Sequence, residues 1–268
     1  MSEAPPLKRL KTSTSLSAAT NNADSSSLNN AARATQQLLA AQDAETRQTA
    51  ARAVAAACDN PDDDNKIASR DALRPLADML QSSDREAEAA ALALFKLARN
   101  PKNAILIGKA GAIPPLVALL LNGSDEAKVN AAGGLGNLAG IADNRVSIGK
   151  AGAISPLVAL LQNGTDEAKE NAARALYNLA VDNVDYTHSI AKAGAIPPLV
   201  TLLKNGSDEA KENAAGLLWD LVAYSNDDNH VLIAKAGAIP PLIALLENGT
   251  DVAEERATDL LWTLFYYS

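Results

Sequence analysis

Cysteine and histidine, two side chains that often catalyse reactions or hold metal ions, are scarce in this sequence. It contains one cysteine, Cys58, and two histidines, His188 and His230. Neither histidine has a cysteine nearby or a second histidine at the spacing of a helical metal site. A single cysteine also excludes a disulfide framework within the chain. No nucleophile, base and orienting group can be recognised together, so we expect no enzyme and no metal or cofactor site.

The composition favours closely packed helices and disfavours nucleic acid as a partner. Hydrophobic residues make up 47% of the chain, whereas aromatic residues make up only 3%. Small and branched apolar side chains suit helices rather than a sheet sandwich. The formal net charge of −8 is a poor match for phosphate backbones and a better match for basic peptides.

Neither secretion nor membrane insertion is indicated by the sequence. The first 30 residues lack the apolar stretch of a signal peptide, and no later run approaches 18 apolar residues. We therefore expect an intracellular protein, cytoplasmic or nuclear or both.

A repeat of about 42 residues organises most of the chain. The letters AGAI begin at Ala110, Ala151, Ala193 and Ala236, in steps of 41, 42 and 43 residues. A degenerate copy lies at residues 70–73. From each glycine of this motif, the interval to the matching site near the end of the unit is always 26 residues. The constant part is predicted to be the packed core of each unit, and the variable part a surface loop.

Three helices are predicted in each unit. The AGAI glycine should end a short first helix, because glycine readily adopts the left-handed conformation. Prolines such as Pro115, Pro75 and Pro156 should open the second helix. An Asn-Gly pair ends it, and a Ser or Thr caps the longest, third helix. In the third helix of residues 171–180, apolar residues recur every three or four positions, so that stacked neighbours must cover the stripe.

The repeats predict one array preceded by a tail. Residues 1–29 are rich in Ser, Thr, Asn and Pro and are expected to be disordered. Residues 30–268 are expected to form about six units, of which the first lacks its first helix. The array ends inside a third helix, although terminal units normally carry a polar outer face. We expect a partner or missing sequence at that end.

The amino-acid sequence of the repeat resembles that of the armadillo repeat family. GAIPPLV opens one helix and NAARALYNLA forms another, over roughly residues 31–267. The repeat sequence is most similar to those of plant and algal arrays, including arrays joined to U-box ubiquitin ligases. More generally, it is similar to the repeats of importin-alpha and beta-catenin. The resemblance implies an all-α, right-handed armadillo-type α-solenoid of three-helix repeats that binds proteins or extended peptides.

In that family an Asn on each third helix grips the backbone of a peptide lying in a concave groove. The resemblance assigns this role to Asn137 and Asn178, whose amides offer both a donor and an acceptor. Equivalent positions elsewhere hold Ala56, Lys96, Asp220 and Thr263. Residues one or two turns earlier should share the groove. The candidate groove residues are Lys96, Asn130, Asn137, Asn171, Arg174, Asn178, Asn213 and Asp220.

Aromatic residues directly precede several of these positions. They are Phe95, Tyr177, Trp219 and Trp262. They could form an aromatic wall along the groove, or they could pack between adjacent units. We favour the second interpretation.

Three functions remain open at the level of sequence. The first is a scaffold that uses Asn137 and Asn178 for main-chain contacts and charged residues for selection. The second is a nuclear import adaptor, and the third is the substrate-binding part of a ubiquitin ligase. Lys8, Arg9 and Lys11 also fit a minimal nuclear localisation signal, or else an incidental basic patch on the tail.

Overall fold

The protein is built from α-helices. The computed structural model describes residues 32–58, 70–224 and 228–266, and within these ranges no strand occurs. The predicted tail and the candidate signal at Lys8, Arg9 and Lys11 lie outside the described residues. The first helix, α1, covers residues 32–40. The others are α2 Ala44–Ala57, α3 Arg70–Met79, α4 Asp84–Leu97, α5 Pro101–Lys109, α6 Ile113–Asn122, α7 Asp125–Leu138, α8 Ala142–Lys150, α9 Ile154–Asn163, α10 Asp166–Ala180, α11 Val184–Lys192, α12 Ile196–Asn205, α13 Asp208–Ala223, α14 Asn229–Lys235, α15 Ile239–Asn248 and α16 Asp251–Tyr266.

These helices form six stacked units. Units 1 and 2 are α1–α2 and α3–α4, and units 3 to 6 are the helix triplets α5–α7, α8–α10, α11–α13 and α14–α16. The last helix of each unit contacts the last helix of the next, from α2 through α4, α7, α10 and α13 to α16. The predicted all-α solenoid of three-helix repeats is confirmed.

The predicted stripe on the third helices forms the core. In α10 its members Ala172, Ala175, Leu176 and Leu179 are fully buried. Burial of apolar side chains is the main stabilising contribution to folding. In a solenoid each unit contacts only its neighbours, so this area is buried between adjacent units.

Glycine ends the first helices as predicted. After α5, α8, α11 and α14 an alanine caps the helix, and the next residue is a glycine with φ between 78° and 87°. A side chain would be strained in this left-handed conformation. The glycines are Gly111, Gly152, Gly194 and Gly237.

Unit 2 departs from the predicted pattern. Asp71 stands where other units have this glycine, and α3 already begins at Arg70, so Pro75 lies inside the helix and does not open it. The prediction for Pro75 was therefore wrong. Asp71 and Ala72 are therefore helical in α3, at the positions where the other units turn between their first and second helices.

The hydroxyl caps of the third helices also join neighbouring units. The Ser207 hydroxyl accepts a hydrogen bond from the Ala210 amide at 3.1 Å and donates one to Glu170 of the preceding third helix. Ser124 pairs in the same way with Glu88, and Thr250 with Glu212. Unit 4 lacks this link, because the residue in the glutamate register of unit 3 is Val129.

The link between Ser207 and Glu170 should be measurable as a coupling energy. Replacing both by Ala, singly and together, is expected to give a coupling of about 0.5 kcal/mol in chemical denaturation, because the bond is solvent-exposed. The Thr165→Ala and Val129→Ala pair is the matched control and should show no coupling. Equal coupling in both pairs would show that the hydroxyl-to-carboxylate bond does not join the units.

No single helix in the described residues is long and apolar enough to cross a membrane, although two bent pairs, α5 with α6 and α14 with α15, meet the length and composition criterion together.

Candidate functional site on the third helices

One position near the end of every third helix carries four of the eight candidate residues. We call it the ladder position. Asn137, Asn178 and Lys96 are half-buried there, so part of each side chain reaches the surface. Asp220 and Thr263 are buried, whereas Ala56 in unit 1 is exposed. The structure therefore aligns the predicted residues along one face of the stack, with unequal access.

The two ladder asparagines are held by hydrogen bonds between units. The Asn137 Nδ2 donates to the Phe95 carbonyl at 3.1 Å, and the Asn178 Nδ2 donates to the Gly136 carbonyl at 2.9 Å. Each accepting carbonyl belongs to the residue just before the preceding ladder position. These bonds fix the orientation of both amides, and each amide keeps its Oδ1 and a second N–H for other partners. Sequence reasoning missed this link.

The candidate asparagines two turns before the ladder position are more buried than the ladder asparagines. Asn130, Asn171 and Asn213 are buried, with 3%, 5% and 8% of their surfaces exposed. The Asn171 Nδ2 donates to the Val129 carbonyl of the preceding unit at 3.3 Å. The structure thus places these amides between third helices, and a role in binding stays a prediction for them.

Arg174 contacts an asparagine, a glutamate and an aromatic ring. Its Nη2 donates to the Asn171 Oδ1 at 2.8 Å, and its Nη1 lies 3.3 Å from the Glu209 carboxylate. Its guanidinium also lies 5.7 Å from the centre of the Phe95 ring. Because the side chain is only 23% exposed, these contacts hold it against the face and leave a limited area for a ligand.

The Phe95 and Arg174 contact belongs to a pattern that spans three units. A Cβ added at Gly133 would lie 2.8 Å from Phe95 Cε2, so the Phe95 ring occupies the space that Gly133 leaves. Arg174 of the next unit then covers that ring. The predicted packing of aromatic residues between units is confirmed for Phe95.

The pattern occurs a second time, two units further on. A Cβ added at Gly216 would lie 2.9 Å from Tyr177 Cε2, and the Arg256 guanidinium lies 4.5 Å from the centre of the Tyr177 ring. The Arg256 Nη1 also donates to the Glu212 carbonyl at 2.9 Å. Ring, glycine and arginine therefore recur in order along the stack and fill the space beside the ladder.

Asp220 replaces the ladder asparagine in unit 5. Only 5% of its surface is exposed, and its Oδ2 is buried without a hydrogen-bond partner among the described residues. Burial raises the pKa of Asp220 to about 6, against the opposing effect of the Arg256 charge and with a smaller contribution from Asp182. The register of the other rungs places the Tyr177 carbonyl before Asp220, and an ionised carboxylate cannot donate to it.

A second set of amides joins the first helices. The Asn144 Nδ2 in α8 donates to the Ala104 carbonyl in α5 at 3.0 Å, and both residues are buried. Gly108 in α5 lies against this amide and has no side chain to displace it. Asn144 therefore joins units as the ladder asparagines do, but on another helix.

Metal-ligand chemistry is not assembled in this part of the molecule. Among residues 32–58, 70–224 and 228–266, no group of three or more His, Cys, Asp and Glu side chains could hold a metal ion.

Comparison with known proteins identifies the class. A stack of helical units that presents recurring polar residues on one face defines a repeat protein, and the family model for Armadillo/beta-catenin-like repeats matches residues 100–140, 142–181 and 183–223. A designed armadillo repeat protein is 30% identical over 87% of this chain and 98% of its own, with a TM-score of 0.74. The chain belongs to the armadillo repeat family. Armadillo solenoids are typically binding scaffolds without enzymatic activity.

Two other solved structures bear on function. A computationally designed armadillo repeat protein for modular peptide recognition is 30% identical over 86% of this chain and 98% of its own, with a TM-score of 0.72. A designed armadillo repeat protein in complex with the peptide (KR)4 is 29% identical over 87% of this chain and 98% of its own, with a TM-score of 0.70. The comparison with curated proteins found no match.

Proposed function

We propose that the protein is a scaffold that binds an extended peptide segment along the ladder face. The observation that carries this proposal is the orientation of Asn137 and Asn178, which hydrogen bonds to the preceding unit fix in the same way. Among the described residues, each amide has no other partner for its Oδ1 or its second N–H, and such an ordered amide can pair with a peptide group at a low entropic cost. The two rungs belong to adjacent units, so one extended segment can reach both.

Main-chain contacts supply binding, and the charged residues of the face supply selection. Arg174 is partly exposed and already paired with Glu209, so an acidic side chain of the peptide competes with Glu209 for it. Lys96 offers a second cation two units away. Asp220 is buried and contributes little direct contact. We therefore expect an acidic side chain to be accepted beside Arg174, within a segment that the net charge of −8 otherwise selects to be basic.

The test is a screen of displayed random peptides, followed by affinity measurements on an enriched peptide. The Asn137→Ala, Asn178→Ala double variant is expected to bind that peptide about thirtyfold more weakly, because two hydrogen bonds of roughly 1 kcal/mol each are lost. Isothermal titration calorimetry on the purified variant gives the comparison, with helical circular dichroism to verify folding.

Asn144→Ala is the matched control for this experiment. It removes an amide bond between units of the same kind, but from a first helix, so it should lower stability and leave peptide affinity unchanged. No enriched peptide, or equal losses of affinity in both variants, would contradict a binding site on the ladder face.

Two more specific roles came from the sequence, a nuclear import adaptor and the substrate-binding part of a ubiquitin ligase. Importin-like receptors carry a tryptophan four residues before the ladder position, where this chain has Gly133, Arg174 and Gly216. Rings of preceding units lie against both glycines. The geometry therefore supports peptide binding in general over an adaptor that grips lysine side chains.

A further inference from the structure

The first and second helices of units 3 to 6 differ in charge from the third helices. We call residues 104–122, 144–163, 186–205 and 229–248 the basic band; they cover most of each first helix and the whole of each second helix. In a chain with a net charge of −8, the basic band carries six basic residues and one acidic residue. The third helices α7, α10, α13 and α16 carry 13 acidic residues and five basic ones. Positive and negative charges are therefore separated between helix layers.

One lysine recurs at the same place in every unit of the basic band. It is the last residue of the first helix, and it is exposed in all four units. Among the described residues none of these lysines forms an ion pair. A cation at this end of a helix is favoured by the helix dipole, but the dipole does not explain why acidic side chains are nearly absent from the rest of the band. The four residues are Lys109, Lys150, Lys192 and Lys235.

Lysines of the third helices lie beside carboxylates instead. The Lys169 Nζ is 3.8 Å from the Asp166 carboxylate, and the Lys211 Nζ is 3.9 Å from the Asp208 carboxylate. The acidic first turn of the third helix thus neutralises its own lysine. The lysines of the basic band have no such neighbour and remain available to carboxylates of another molecule.

The basic band is continuous from unit to unit. Each first helix contacts the second helix of the preceding unit, as α8 contacts α6, α11 contacts α9 and α14 contacts α12. A side chain from α12 reaches across this boundary: the Lys204 Nζ lies 3.7 Å from the position of a Cβ at Gly237, two residues after Lys235. Two cations therefore lie at the same turn, and among the described residues neither forms an ion pair.

Exposed aliphatic side chains accompany the lysines of the band. Ile105 and Val146 each lie four residues before the lysine of their unit, and they are 38% and 46% exposed. Leu232 lies three residues before the lysine of unit 6 and is 52% exposed. Because residues three or four apart share one face of a helix, cation and aliphatic group are neighbours. A peptide offers partners for both, whereas a phosphate backbone offers a partner only for the cation.

We infer that the basic band binds an extended acidic segment of another protein, whose carboxylates pair with the four lysines and whose aliphatic side chains lie beside them. Packed helices are about 8 to 10 Å apart, and an extended chain advances about 3.3 Å per residue. One carboxylate in about three residues therefore matches one lysine per unit. This surface is separate from the ladder face, and its segment is opposite in charge to the basic segment expected there. The protein would thereby hold two different partners together.

A synthetic probe peptide tests the inference. It consists of four Glu-Leu-Gly triplets and is titrated with the purified protein by fluorescence anisotropy at about 50 mM salt, where exposed charges are weakly screened. Its dissociation constant is expected in the range of about 10 to 100 μM. The Lys109→Gln, Lys150→Gln, Lys192→Gln triple variant is expected to bind the probe at least about tenfold more weakly, because three charge pairs are lost.

A second triple variant is the matched control. Lys128→Gln, Lys169→Gln, Lys211→Gln removes the same charge from the third helices, and it should change the affinity for the probe by less than about twofold. A peptide of four Gln-Leu-Gly triplets should not bind, because it keeps the aliphatic side chains and lacks the carboxylates. Helical circular dichroism of both variants verifies that they are folded.

Four results would overturn the inference. The unchanged protein shows no saturable binding of the probe below about 1 mM, or both triple variants lose it equally, so that only overall charge matters. The Asn137→Ala, Asn178→Ala variant loses the probe, which places it on the ladder face. A single-stranded oligonucleotide binds more tightly than the probe and is lost in the band variant, which indicates a nucleic-acid surface. Failure of the ladder proposal alone leaves binding of the probe intact, so the two proposals can be distinguished.

Discussion

Replacing Asp220 by Asn is expected to stabilise the folded protein at pH 8 by about 1 to 3 kcal/mol. The folded-state pKa of about 6 lies above the ordinary value of 3.8, which means that folding disfavours the ionised form. An asparagine carries no charge to bury, and its Nδ2 can donate to the Tyr177 carbonyl as Asn137 and Asn178 donate to theirs. Both changes favour the folded state.

The gain should depend on pH in a defined direction. Below pH 3.8 the carboxyl group is protonated in the folded and unfolded chains, so Asp220 imposes no ionisation cost. Between pH 3.8 and 6 the folded protein binds the proton more tightly, and the cost grows as pH rises. Above pH 6 the cost is complete. The difference in unfolding free energy between variant and unchanged protein should therefore increase from pH 4 to pH 7 and then level off.

Urea denaturation at several pH values measures this difference in unfolding free energy. The contributions of the other titrating groups are nearly the same in both proteins and largely cancel. Asp259→Asn is the matched control: this aspartate is exposed in the neighbouring unit, so its replacement should change stability little at any pH. A destabilised Asp220→Asn variant, or one whose gain does not vary between pH 4 and 8, would show that the buried carboxylate is stabilised as an ion.

Replacing Gly133 by Leu is expected to destabilise the protein by about 3 kcal/mol. The new side chain would occupy the space of the Phe95 ring, whose Cε2 and Cζ atoms lie 2.8 and 2.9 Å from the position of a Cβ. Arg174 covers the ring from the next unit, so the ring cannot move outward without losing that contact.

The neighbouring glycine provides the control in the same helix. A Cβ at Gly134 would lie 3.7 Å from the nearest atom, which is an ordinary contact. Gly134→Ala is therefore expected to be neutral or to stabilise the helix by up to about 1 kcal/mol. Thermal and urea unfolding of both variants gives the comparison.

A compensating change distinguishes overpacking from a general loss of helix stability. In the Phe95→Ala background the ring is absent, and Gly133→Leu should cost much less than in the unchanged protein. If Gly133→Leu is equally damaging in both backgrounds, the ring does not occupy the space beside Gly133.

Local chemistry explains which elements could be predicted from the sequence. Gly111 ends a helix because its φ is positive, and Ser207 starts one because its hydroxyl accepts the Ala210 amide. Both effects act within a few residues, so the sequence reveals them directly. Pro75 shows the converse: α3 already includes Asp71, where the other units have a glycine, so the proline alone does not determine where the helix begins.

The candidate site was predicted only in part. The repeat register located Asn137 and Asn178 on one face, because residues at equal positions in equal units must superpose. It did not reveal that their amides bond to the preceding unit, or that Asn171 and Asp220 are buried. The burial of these side chains depends on the distance between two neighbouring third helices. That distance is set by side chains from both helices.

The sequence by itself determined the repeat, the helices and the line of ladder positions, because these follow from backbone preferences and periodicity within about 42 residues. Only the tertiary structure decided which rungs are accessible, how Phe95, Gly133 and Arg174 fit together across three units, and why the pKa of Asp220 is raised. These properties depend on atoms brought together from different units, whose separation is fixed by packing and not by spacing along the chain.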